Sequence, residues 1–261
     1  MTLKNQINEF ISFANILADE SAKVIMKYFR QSFTIENKDD DTPVTIADKK
    51  SELKIRELIN NTYPHHGILA EEFDNTNLDS EYIWVIDPID GTRSFIAGHK
   101  DYGTLIALLY KKKPVLGIIN CPAHEERWIG AENQITTLNG KKIKTSSKKL
   151  IEDCYTMTTG LYLEDEIFRN AFENIIKKSK DYILRGDCYM YGMLSSGLID
   201  IVVEDTLKAH DYMALVPIIQ GAGGIITDKN NNPITLNSDG SVVATANSLI
   251  HKQVISMINL Q

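Results

Sequence analysis

"YIWVIDPIDGTRSF" occupies residues 82–95, and the apolar run that opens it stops abruptly at Asp87. A second aspartate, Asp90, follows three residues later, with Pro88 and Ile89 between them and Gly91-Thr92 behind. Residues 82–86 read as a buried strand. Asp, Pro and Gly at its end suit an ordinary turn. They equally suit a site that needs oxygen ligands and exposed backbone N–H groups together, and other parts of the chain decide between the two.

With 261 residues, the chain is long enough to bury a full core, as one compact α/β domain or two tightly joined halves. Its 43% hydrophobic and 24% charged residues are those of an ordinary soluble protein. A net charge of −7 argues against a dedicated nucleic-acid binder but not against small anionic substrates, because a bound divalent cation reverses local charge. The three cysteines, Cys121, Cys154 and Cys188, are odd in number and contain no CxxC, which fits a reducing cytoplasm. The stretch "MTLKNQINEFISFANILADE" lacks the apolar region of a signal peptide, and no apolar run approaches membrane-span length. The expectation is a cytoplasmic globular protein.

Apolar spacing predicts one or two amphipathic helices over residues 3–30, a surface loop through "ENKDDDTPVTIAD", and a helix over 47–61. Strands are expected at 68–70, 82–87, 104–110, 115–119 and 127–131, with a hairpin turn at "LNGKK". After about residue 150 strands and helices alternate: strands at 155–159, 182–185, 199–204, 224–227 and 242–246, helices at 164–178, 188–196, 212–221 and 248–259. This predicts a partly parallel second sheet covered by helices. The division expected is an N-terminal α+β sub-domain, 1–147, and a C-terminal α/β sub-domain, 148–261.

Four acidic stations stand at the ends of these elements: Asp48 after "TPVTIA", Glu71-Glu72 after "GILA", Asp87 and Asp90 after "YIWVI", and Asp211 before "YMALVPIIQGAGG". Taken singly, Asp48 and Asp211 also read as helix-start residues and Glu71-Glu72 as a solvated pair. A shared site explains all four, because open α/β sheets bind ligands at strand ends. Clustered carboxylates repel unless hard cations such as Mg²⁺ compensate them, and those cations in turn hold phosphate and acidify water. Gly91 allows close backbone approach, and the N–H groups of Gly91 and Thr92 suit a phosphate. The pieces suit metal-assisted phosphate hydrolysis.

"WVIDPIDGTRSF", "AHDYMALVPIIQGAGGIITD", "GILAEE" and "TPVTIAD" resemble, in order, the signatures of the inositol monophosphatase family, and the resemblance spans essentially the whole chain. It implies a layered α/β/α/β/α fold of the inositol monophosphatase and fructose-1,6-bisphosphatase type and a Mg²⁺-dependent phosphomonoesterase with two or three ions. By position it implies Glu71, Asp87 and the Ile89 carbonyl at a first metal and Asp87, Asp90 and Asp211 at a second, with Glu71 also serving a loosely held third. Thr92 and Asp48 would orient the attacking water with help from Glu71, and Gly91 and Thr92 would contact phosphate. Lys38 stands where the family often has a basic residue, and Arg93 lies beside the phosphate loop. The reaction implied is in-line attack on phosphorus with no phosphoenzyme. A homodimer and sensitivity to lithium are likewise implied by resemblance alone.

"RGDCYMYGMLSSGLIDIVVE" and the segment following "DPIDGT" resemble the histidinol-phosphate phosphatase branch more than animal inositol monophosphatases. Asp187 puts a carboxylate where inositol enzymes usually carry a small hydroxyl residue, which suits an aminated cationic substrate. Asp187 with Glu204 would pair with the ammonium and imidazole of histidinol phosphate, and Arg185 is a further contact. Asp187 also reads as a cap on a helix beginning at Cys188. Inositol 1-phosphate and 3′-phosphoadenosine nucleotides are the alternative substrates, and a non-catalytic regulatory protein of the same fold is the alternative class.

Other chemistries find no support. The histidines fall in no zinc spacing, and His99, His124 and His251 read as surface residues. "GAGG" at 221–224 follows a helix and precedes a strand, the reverse of a dinucleotide loop, and there is no GxxxxGK[ST]. "DDD" at 39–41 lacks the glycine and glutamate of an EF-hand.

Overall fold

The computed structural model describes residues 3–32, 35–37, 43–160 and 163–259. Helix α1 (Leu3–Ile25) leads through strands β1 (Ile35–Asn37) and β2 (Pro43–Thr45) into α2 (Ile46–Thr62). Thr45 caps α2: its Oγ1 accepts from the Ala47 amide at 3.1 Å, while Asp48 Oδ2 accepts from the Thr45 amide at 2.8 Å. Part of the stretch expected as a surface loop is therefore the antiparallel pair β1–β2. Lys38 lies outside the described residues.

β3 (Gly67–Ala70), β4 (Tyr82–Asp90), β5 (Gly103–Tyr110), β6 (Lys113–Cys121), β7 (Glu126–Ala131), β8 (Thr137–Leu138) and β9 (Lys141–Lys142) form one sheet in sequence order. Only β3 and β4 are parallel within it. A short helix, α3 (Thr92–Ile96), which the spacing did not predict, follows β4 directly. The second sheet has the order β11-β10-β12-β14-β13, with β10 (Tyr155–Thr158), β11 (Asp181–Leu184), β12 (Ile201–Glu204), β13 (Ile225–Thr227) and β14 (Val242–Thr245). β10 runs parallel to β11 and β12, whereas β14 is antiparallel to both its neighbours, so the expected partly parallel sheet is present.

Side-chain alternation along the strands builds the layers. Trp84 and Ile86 of β4 join α1 and α2 through Phe10, Phe13, Leu17, Ile55 and Ile59. Ile83 and Val85, on the opposite face, pack with α5 (Asp187–Ser195), α7 (Leu215–Gly221) and the inner face of the second sheet through Val202 and Ala244. Ile201, Val203 and Val243 turn outward to α4 (Glu166–Lys178) and α8 (Ser248–Asn259). The result is the layered α-β-α-β-α fold that the motifs implied. Each such aliphatic side chain taken fully out of water contributes about 1.5–3 kcal/mol before chain entropy is charged against it.

The helix expected over 212–221 is two helices, α6 (Ala209–Tyr212) and α7. Pro217 has no N–H to donate and its ring crowds the carbonyl four residues earlier, so a continuous helix through Met213 is disfavoured. α7 then presses directly on the first sheet: a Cβ on Gly117 would lie 2.0 Å from the Ala214 carbonyl oxygen. That close approach carries α6, and Asp211 with it, to the end of β4. His251 is a further correction: rather than lying at the surface it is buried, its ring nitrogens within 3.0 Å of Thr245 Oγ1 and 3.1 Å of Thr227 Oγ1. His124, also expected at the surface, is half-buried and stacks on Tyr189 at 4.2 Å.

Candidate active site

β4 continues three residues beyond the expected end, and its register against β5 slips between Asp87 and Asp90. The missing N–H of Pro88 interrupts the ladder there, and such an irregularity re-aims side chains. A buried chain of hydroxyls holds the slipped segment. Thr104 Oγ1 donates to the Pro88 carbonyl at 2.9 Å, Ser21 Oγ lies 2.7 Å from Thr104 Oγ1, and Ser51 Oγ 2.8 Å from Ser21 Oγ. Because Thr104 spends its one hydrogen on Pro88, Ser21 donates to Thr104 and Ser51 to Ser21.

The slip brings carboxylates together. Asp87, Asp90 and Asp211 each offer an oxygen within 4.8 Å of the others'. Glu71, at the end of the parallel neighbour β3, lies close enough to raise the pKa of Asp87, Asp211 and Asp48. Burial pushes Asp87 well above the usual carboxylate range, and the charges of Glu71, Asp90 and Asp211 add to it. Asp90 is pushed the same way, by burial first and then by Asp187, Asp211 and Glu204. Among the described residues, Asp87 Oδ1 is the buried side-chain oxygen with no hydrogen-bond partner. An unpaired, fully buried carboxylate oxygen facing other carboxylates is costly unless a cation completes it. Oxygens alone, without histidine or cysteine, fit a hard cation such as Mg²⁺.

Backbone amides orient this set. Asp90 Oδ2 accepts from the Cys188 amide in the first turn of α5 at 2.5 Å, and Asp211 Oδ2 accepts from the Lys208 amide at 2.6 Å. Asp211 thus sits in the first turn of α6 as both cap and cluster member. Asp48, fully buried, presents Oδ1 to Thr92 Oγ1 at 3.3 Å, and that hydroxyl is 3.0 Å from the Ile89 carbonyl oxygen. Glu52, one turn beyond Asp48 and also buried, accepts from the Glu72 amide at 2.7 Å and the Phe73 amide at 3.2 Å, fixing the loop that carries Glu71.

A cavity of about 110 Å³ adjoins the cluster, lined by Asp90, Asp187, Glu204, Asp211, Thr159, Cys188, Tyr191 and Leu207. Glu204 is buried, its pKa pushed up to about 7 by desolvation despite hydrogen bonds from Thr159 and Tyr191. Asp187 is also raised, by burial first. It does not cap α5: it is the helix's first residue, with Gly186 before it, and Oδ2 accepts from Ser94 Oγ at 2.6 Å. Gly91, at φ 85°, lies directly beneath, since a Cβ there would come within 2.8 Å of Asp187 Cγ. Arg185 and Arg93 are exposed, and Arg185 is near enough to Asp187 to favour its charge.

Sequence reading missed Glu52, Ser94, Tyr191 and the hydroxyl chain. Glu52 had a signal, standing four residues after Asp48 and so on the same helical face. Tyr191 had the same signal relative to Asp187, four residues before it, whereas Ser94 had none, since its partner Asp187 lies on another element.

The model of the inositol monophosphatase family matches residues 6–259. The chain belongs to the inositol monophosphatase family. Like its relatives, this inositol monophosphatase family member is a phosphatase that hydrolyses phosphomonoesters. It is 42% identical to the bifunctional phosphatase IMPL2, chloroplastic, of Arabidopsis thaliana, over 97% of this chain and 76% of that one. It is 32% identical to a histidinol-phosphatase of Chlorobaculum parvum, over 93% of each. An inositol monophosphatase structure from Zymomonas mobilis superposes with a TM-score of 0.88 at 42% identity, covering 96% of this chain and 98% of that one.

Proposed function

We propose that this inositol monophosphatase family member hydrolyses L-histidinol phosphate to L-histidinol and phosphate, using Mg²⁺, as a step of histidine biosynthesis. The observation that carries the reading is the cavity beside the carboxylate cluster, where Asp187 and Glu204 face the space a leaving alcohol would fill and no lining residue is basic. Such a cavity favours an ammonium and imidazole over a neutral polyol. The similarity to a histidinol-phosphatase supports the same choice.

In this reading Glu71, Asp87, the Ile89 carbonyl, Asp90 and Asp211 hold two or three Mg²⁺ ions. Bound there, such ions would neutralise the carboxylates and the phosphate and would supply an acidified water. Asp48 and Thr92, joined by the Oδ1–Oγ1 contact, and Glu71 beside them would orient the attacking water for in-line displacement at phosphorus. The Gly91 and Thr92 amides, at the start of a helix where such groups lack helical partners, meet phosphate oxygens. Arg185 acts at the cavity rim.

The free, buried thiols of Cys121, Cys154 and Cys188 support the cytoplasmic assignment, and no helix among the described residues is long and apolar enough to cross a membrane. The homodimer expectation is supported by β11, an edge strand with Tyr182, Ile183 and Leu184 all exposed.

Phosphate release with Mg²⁺ from histidinol phosphate, inositol 1-phosphate and a 3′-phosphoadenosine nucleotide tests the reading. Histidinol phosphate is expected to give the highest kcat/KM. A preference for inositol 1-phosphate, favoured by the Zymomonas structure, of more than about tenfold, or about 1.4 kcal/mol, overturns the substrate assignment.

A further inference from the structure

Asp187 and Glu204 come to the cavity from different elements, α5 and β12, and neither carboxylate is left to find its own orientation. Asp187 is the first residue of α5, at φ 42°, and follows Arg185 at φ 96° and Gly186 at φ 141°. Two non-glycine residues in the left-handed region on either side of a glycine hold the chain in a conformation that persists only where surroundings over-determine it. One such restraint is Ser94 Oγ, 2.6 Å from Asp187 Oδ2, reaching over from α3, the helix that follows the "DPIDGT" turn. The other is Gly91, whose missing side chain leaves the space that Asp187 occupies.

Glu204, at the end of β12, is held by a different hydroxyl. Tyr191 Oη donates to Glu204 Oε2 at 2.7 Å, and the tyrosine is buried. Tyr191 stands four residues after Asp187 in α5, so the two share a helical face over the cavity. One helix therefore presents one carboxylate and fixes the other, and Ser94 locks that helix's first residue to the phosphate loop.

We propose that Ser94 and Tyr191 are positioning residues that set substrate selectivity, holding Asp187 and Glu204 so that the pair grips a cationic leaving alcohol. The inference rests on the cationic-substrate reading above and adds that two uncharged hydroxyls, not the carboxylates alone, make the selectivity. Each hydroxyl supplies a charge-assisted hydrogen bond that fixes one carboxylate oxygen and leaves the carboxylate's remaining capacity for the substrate. Both hydroxyls are spent on carboxylates that line the cavity, so their loss acts on recognition of the alcohol.

The test is steady-state kinetics of the full chain at saturating Mg²⁺ with L-histidinol phosphate and inositol 1-phosphate. For Ser94→Ala and for Tyr191→Phe, the ratio of kcat/KM on histidinol phosphate to kcat/KM on inositol 1-phosphate is expected to fall about tenfold, the scale of one lost charge-assisted hydrogen bond. The loss should appear in KM for histidinol phosphate rather than in kcat, and Ser94→Thr, which keeps the hydroxyl, should restore most of the ratio. Variants that lose activity equally on both substrates, or that keep the wild-type ratio, overturn the proposal while leaving the substrate reading standing. A wild-type enzyme with no preference for histidinol phosphate overturns both.

Discussion

Replacing Glu204 with glutamine should stabilise the metal-free protein at alkaline pH, and the size of the effect follows from burial. The Glu204 carboxyl titrates near 4.5 when solvated and is pushed up to about 7 in the fold, chiefly by desolvation and secondarily by the charges of Asp187 and Asp211. Between those values the folded protein holds a proton that the unfolded chain has released. Stability is therefore fully present below about 4.5 and is lost as pH rises through about 7. A displacement of about 2.5 pH units corresponds to about 3 kcal/mol, the penalty for an ionised Glu204 at pH 8. Glutamine carries no charge, and its amide oxygen still accepts from Tyr191. With chelator present at pH 8, Glu204→Gln should unfold with about 3 kcal/mol more free energy than wild type, or about 6 °C higher in Tm. At pH 5 the gap should shrink to about 1 kcal/mol. Urea and thermal unfolding followed by circular dichroism at both pH values measure it. A variant no more stable than wild type at pH 8, or offset equally at both pH values, would show that Glu204 carries no such burial penalty.

Asp87→Asn should remove the Mg²⁺-induced rise in Tm and lower phosphate release by at least about a hundredfold, because it neutralises the buried carboxylate whose Oδ1 has no protein partner. Retention of the Mg²⁺-induced rise, read by calorimetry, would remove Asp87 from the metal ligands. Gly91→Ala forces a side chain into the left-handed region at a cost of about 1–2 kcal/mol and against Asp187 at 2.8 Å. Urea unfolding should show at least that loss, and an unchanged unfolding free energy would contradict the backbone argument.

Much of the fold is legible because its signals are local. The apolar run from Ile83 to Ile86, the Thr45/Asp48 capping pair and the β–α alternation after residue 150 depend on neighbours within one turn or one strand. The break between α6 and α7 was also locally encoded, by Pro217, but the apolar spacing runs straight through it. His251 was misplaced for the opposite reason: its burial depends on Thr227 and Thr245, contributed by two strands of the second sheet.

The same division governs the site. Chain order alone puts Asp48, Glu71, Asp87, Asp90, Gly91, Thr92 and Asp211 at the ends of elements, in an order that matches one family. How they meet, and what surrounds them, follows from the packing of distant elements. The slip of β4 against β5 turns Asp87 and Asp90 toward one point, and α7 pressed onto Gly117 brings Asp211 to it. Ser94 reaches Asp187 across 93 residues of chain, and Asp90 reaches the Cys188 amide across 98. A strand or a cap is specified by side chains a few residues apart. The desolvation and mutual repulsion that shape this carboxylate cluster arise only when separate layers close around it, so they leave no local trace in the sequence.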